Sequence, residues 1–256
     1  MKFVITQWKG VMSALIVAGL LTLLLRIRAP WMVLVSLAVW GATIFLLFRH
    51  RLGESAIRWN VALLGCSYIG ALLLLSLTEW ETVTRSILII ASVSIGSLVS
   101  IIDVDEEDTQ VYIRKACRRI LVMGWVFVCA SLLVASHAMS VFFPGIPVWV
   151  LFLFVGAYTS AIAYAVWRMY YPLPIRRFSV WILIMAVMSM EFFWVLYVLP
   201  FGYIVLGFLS TWIWYLLVLL IRFHMSSEGI RWKKQRKFLI GNSILFIAIL
   251  FLVRWI

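Results

Sequence analysis

The stretch SVWILIMAVMSMEFFWVLYVLPFGYIVLGFLSTWIWYLLVLLI, residues 179–221, holds 43 residues and a single charged side chain, Glu191. A helix rises about 1.5 Å per residue, so about 20 apolar residues cross the roughly 30 Å of hydrocarbon in a bilayer. The run is long enough for two crossings, and the chain must reverse inside it. LPFG, Leu199 to Gly202, is where it can, because Pro200 has no amide donor and Gly202 tolerates a turn. The run therefore reads as two antiparallel spans, 179–199 and 201–221.

Working outward, the rest of the chain has the same character. It is 65% hydrophobic and 12% charged, against roughly 25% charged in an ordinary soluble domain. The apolar residues come in solid blocks, which excludes the alternating pattern of barrel strands and predicts helices. The further spans are 11–25, 30–48, 59–77, 86–102, 120–136, 148–167 and 238–253. The expected fold is all-α, a polytopic transmembrane bundle of about nine spans, forming one integral membrane domain over residues 1–256.

Charge orients the bundle. With alternate loops on opposite sides, 18 of the 22 Lys and Arg fall on one side. Basic loops stay in the cytoplasm, so the amino terminus is expected inside and the carboxyl terminus outside. Merging spans seven and eight would reduce the asymmetry to 13 against 9. The expected location is the plasma (inner) membrane. The net charge of +12 then reflects topology and contact with anionic headgroups rather than nucleic acid. Arg231, Lys233, Lys234, Arg236 and Lys237 are the densest group for such lipid contact. Trp8, Trp31, Trp59, Trp80, Trp149, Trp167, Trp181, Trp232 and Trp255 fall at span ends, where amphipathic rings form an interfacial belt.

Several chemistries are not expected. His50, His137 and His224 are placed in loops or at span ends, which leaves no axial haem pair. No lysine lies inside a span, and there is no Walker loop, no HExxH, and no serine or cysteine placed with histidine for acyl transfer. Cys66, Cys117 and Cys129 are not expected to pair. No cofactor or metal is called for. The span count with an inside amino terminus is similar to that of intramembrane prenyltransferases. However, RHRLGESAIR and RMYYPLPIRR, in the corresponding loops, lack the aspartates of that family, and the chain is not assigned to it.

Two features could carry chemistry. DVDEEDTQVYIRKACRR opens with Asp103, Asp105, Glu106, Glu107 and Asp108 and closes with four basic residues, an order that complements a helix dipole. It reads as a juxtamembrane helix, with cation binding or loop docking as its other uses. The second feature is Glu191, the one acidic residue inside a span. A charged group near the bilayer centre costs about 2.5 to 3.5 kcal/mol on insertion scales, so partners are expected. Ser210 and Thr211 in the eighth span, and Ser94 and Ser97 in the fourth, lie at a matching depth, with Tyr197 and Tyr203 nearer the outer mouth. Glu191 is then either interhelical glue or a proton or ion site. Gly156 with Ser160, and Ala157 with Ala161 and Ala165, are read as small packing faces.

Three readings follow. The first is a small transporter or permease-type subunit with Glu191 as its protonatable site. The second is a non-catalytic membrane subunit of an envelope complex, with other membrane subunits as partners. The third is an enzyme acting on a lipid substrate, for which only Asp103 to Asp108 is available. The chain reads more as a non-enzyme than as an enzyme.

Overall fold

A computed structural model describes residues 2–27, 29–102, 111–171, 174–226 and 232–252. Among these residues the fold is all-α: α1 (Lys2–Ile27), α2 (Pro30–Phe48), α3 (Ser55–Ser76), α4 (Glu81–Ile102), α5 (Val111–Phe142), α6 (Val148–Arg168), α7 (Ser179–Tyr197), α8 (Tyr203–His224) and α9 (Trp232–Leu252), with a 3₁₀ turn at Ile175–Arg177. Eight of these, α1 to α8, are long and apolar enough to cross a membrane. The protein is an integral, multi-pass membrane protein. The ninth expected span falls in α9, a 21-residue helix that opens on the basic WKKQRK and stands outside that set of eight.

The run at 179–221 does form two helices. α7 stops at Tyr197 and α8 starts at Tyr203, with Gly202 in an extended conformation as the cap. Pro30 occupies the first turn of α2, where its missing amide donor costs nothing. α5 is much longer than the expected 120–136, running 32 residues from Val111 to Phe142. Its polar residues do not interrupt it, because their hydroxyls bond back to their own helix. Ser136 Oγ donates to the Leu132 carbonyl at 2.8 Å, and Ser140 Oγ to that of His137 at 2.7 Å. In lipid every backbone group needs an internal partner, so a helix continues through such residues.

The chain divides into two compact units, Met1–Ser131 and Leu132–Ile256. In the first, α1 packs on α2 and α4, and α3 packs on α2 and α4. The α1–α4 crossing is close because it is made by glycines. A Cβ on Gly10 would lie 2.7 Å from the Gly96 carbonyl oxygen, and one on Gly96 would lie 2.7 Å from that of Gly10. Small residues at such crossings let helix backbones touch. In the second unit α7 packs on α6 and α8. The last turns of α5 meet α8 at Gly207, where a Cβ would lie 2.6 Å from the Val134 Cα. Phe246 and Ile249 of α9 pack on Leu206 and Leu209 of α8, and Trp212 Nε1 donates to Asn242 Oδ1 at 3.0 Å.

Two details differ from expectation. Gly156 and Ser160 are buried, with Gly156 against Met190 and Ala186 of α7, whereas of the second ridge Ala165 is buried but Ala157 and Ala161 are exposed. Trp8, Trp31, Trp80 and Trp149 are exposed as belt residues should be. Trp167 is not. It is fully buried, donates to the Val218 carbonyl at 3.2 Å and stacks on Phe178, because the end of α6 is held against α8 there. Tyr171 Oη strengthens that hold by donating to the Arg222 carbonyl at 3.0 Å.

Candidate functional site

The most deeply buried ionisable side chain of the second unit's described residues is His137. The extension of α5 past residue 136 carries it into the unit's interior, where it is 0% exposed. Its Nε2 lies 3.0 Å from Ser210 Oγ of α8, and its ring stacks on Phe193 of α7 with centroids 4.2 Å apart. Its Nδ1 is buried with no hydrogen-bond partner. Three helices thus converge on one imidazole, by polymer continuity, a hydrogen bond and a ring stack. The expectation that His137 lies in a loop or at a span end is corrected here, since it sits inside α5 and pairs with Ser210. The pairing alone does not supply acyl-transfer machinery, because neither a third orienting group nor an oxyanion donor is joined to it.

Beside Ser210 lies a small cavity of about 10 Å³ bounded by Leu133, Thr159, Ser189, Phe192, Phe193, Ser210, Ile213, Trp214 and Leu217. Ser189 Oγ of α7 is buried there without a partner. Thr159 Oγ of α6 donates to the Val155 carbonyl at 2.6 Å, and Trp214 Nε1 of α8 donates to the Thr159 carbonyl at 3.1 Å. Aromatic and aliphatic walls enclose three hydroxyls from three helices. Neither His137 nor Ser189 was singled out from the sequence. The available signal was SHAMS, residues 136–140, a polar cluster that truncates a hydropathy window without ending a helix.

Glu191 has the opposite placement. The inner face of α7 is Met185, Ser189, Phe193 and Leu196. The outer face carries Val180, Leu183, Val187, Trp194 and Val195, and exposed Glu191 sits in the middle of it. Its distance from the α7 end at Tyr197 is six residues, about 9 Å. The expected bonds from Glu191 to Ser210 or Thr211 are not formed. Ser210 is taken by His137, and Thr211 Oγ1 donates to the Gly207 carbonyl at 2.7 Å. The reason is angular: successive helix residues are 100° apart, so Glu191 points nearly opposite to Ser189, the residue that does face α8.

The remaining expected residues are dispersed. Ser94 and Ser97 belong to the first unit and are both exposed, and Ser97 Oγ donates to the Val93 carbonyl at 2.8 Å. Tyr197 is exposed, and half-buried Tyr203 meets Phe142 edge-on. Arg236 and Lys237 are exposed on α9; Lys233 and Lys234 lie in the same helix with side chains that are not described. Asp103, Asp105, Glu106, Glu107, Asp108 and Arg231 lie outside the described residues. No family model matches the chain, and no curated protein or solved structure is similar to it.

Proposed function

We propose that the chain is a non-catalytic membrane subunit that seats a helix of another membrane protein against the outer face of α7. The observation that carries this reading is the position of Glu191 at the centre of an otherwise apolar, outward stripe. An ionisable group at membrane depth is expensive against lipid and is ordinarily paired inside a bundle. Among the described residues none pairs with it, and the pairing in this reading comes from another chain. A partner helix offering a basic, amide or hydroxyl side chain at that depth answers the need. The topology proposed with it puts the amino terminus in the cytoplasm of a plasma (inner) membrane.

Photo-crosslinking from positions 187 and 194 in native membranes tests this. A protein adduct is expected, kept in Glu191→Gln, which retains hydrogen bonding, and lost in Glu191→Leu. Adducts to lipid alone would overturn the reading.

A second reading is a transporter or permease-type subunit in which Glu191 at the subunit contact takes up and releases a proton. The same carboxyl favours it, because intramembrane ionisable groups commonly line ion or proton paths. The two separate cleanly. Glu191→Gln should leave assembly intact under both, but abolish pH-dependent flux through the reconstituted complex only under the second.

A further inference from the structure

The cavity beside Ser210 is built to hold something small and polar. Three hydroxyls border it, each at least nine-tenths buried: Ser189 is 7% exposed, Ser210 5% and Thr159 0%. An unmade hydrogen bond in a dry interior costs about 1 to 3 kcal/mol, and more where no water can reach. Ser189 Oγ leaves such a bond unmade, although a carbonyl of its own helix would be an ordinary partner. The volume, about 10 Å³, is at the lower limit for one water, and a buried water needs two to four polar partners.

We propose that this cavity binds one water molecule, which joins Ser189 of α7, Ser210 of α8 and Thr159 of α6 and, through Ser210, ties His137 of α5 to all three. The donor pattern gives each of the three hydroxyls a place. A neutral imidazole carries one N–H, and its Nδ1 has no partner. A stranded N–H is the rarer defect than a stranded lone pair, so the proton belongs on Nε2, which donates to Ser210 Oγ. That frees the Ser210 hydroxyl hydrogen to donate into the cavity. Ser189 donates likewise, and the water oxygen accepts both. Thr159 has spent its hydrogen on the Val155 carbonyl and offers lone pairs, so the water donates to it. Three bonds is the usual number for an internal water.

The test uses the full chain in lipid nanodiscs. Ser189→Ala and Thr159→Val each remove one partner of the water, and no direct bond joins those two hydroxyls. Their effects on the unfolding equilibrium should therefore be coupled, the double variant being about fivefold more stable than the product of the single effects predicts. Independent effects would overturn the proposal. Where a variant fails to fold, the wild-type chain decides. A high-resolution structure should show one density peak within hydrogen-bond distance of all three oxygens, and an empty cavity overturns the idea. ¹⁵N spectra of His137 should report the proton on Nε2. A proton on Nδ1 would remove the donor that frees Ser210 and would reject the arrangement.

Discussion

His137 on α5 and Glu191 on α7 both lie in the second unit, five and six residues from the carboxyl-terminal ends of their helices, or about 7.5 and 9 Å. One is fully buried, stacked on an aromatic ring and bonded to a serine; the other is exposed among valines and a tryptophan. The contrast separates two ways of accommodating a polar group in a membrane. His137 is held by its own chain, through the Nε2 bond to Ser210 and the stack on Phe193, and belongs to the fold. Glu191 stands on the exposed face of α7, and under the proposed reading it is satisfied by a partner helix.

The largest expected effect tests the first half of that contrast. His137→Ala leaves a hole beside Phe193 and strips Ser210 of its partner, so the purified chain should lose about 3 to 4 kcal/mol of stability. Glu191→Ala should stay within about 0.5 kcal/mol, as for surface changes away from special features. Thermal unfolding of both variants in one detergent checks this. Equal losses would mean that Glu191 is held by its own chain after all.

A somewhat smaller effect sharpens the second half. Replacing Glu191 by Leu removes an ionisable group from the exposed stripe, and α7 should insert more favourably by about 3 kcal/mol in a translocon insertion assay. The same change should release the partner. A substitution that improves the isolated helix while destroying the assembly is the signature of a docking group. Improved insertion with retained assembly would place the partner's contact elsewhere.

The fold was more legible in sequence than the site, and the reasons are physical. Span length and the 199–202 turn follow from hydropathy and from the backbone properties of Pro200 and Gly202, which need no tertiary knowledge. Which face of α7 turns inward does not follow. Leu183, Val187 and Trp194 outside are as apolar as Met185, Phe193 and Leu196 inside, so an all-apolar helix gives no stripe to read. Ser210 and Thr211 match Glu191 in depth along the helices, and depth says nothing about azimuth. His137 was hidden differently: Ser136, His137 and Ser140 lower the local hydropathy and suggest a helix end, whereas their bonds to α5's own carbonyls and to Ser210 keep the helix going.

The smallest effect contrasts α7 with α9. The exposed stripe of α7 has no cation among its described residues. α9 begins with basic residues of which Arg236 and Lys237 are exposed. A Lys or Arg close to an anionic surface contributes about 1 kcal/mol of attraction, which is about fivefold in affinity. Arg236→Gln and Lys237→Gln should each reduce retention of phosphatidylglycerol on the detergent-extracted chain by about that factor, read by native mass spectrometry. Glu191→Gln should leave it unchanged. Raising the salt from 0.1 to 1 M shrinks the Debye length from about 10 to 3 Å and should erase the difference between wild type and the α9 variants. If the difference persists in high salt, α9 holds lipid through its apolar residues, and the basic group has a different duty.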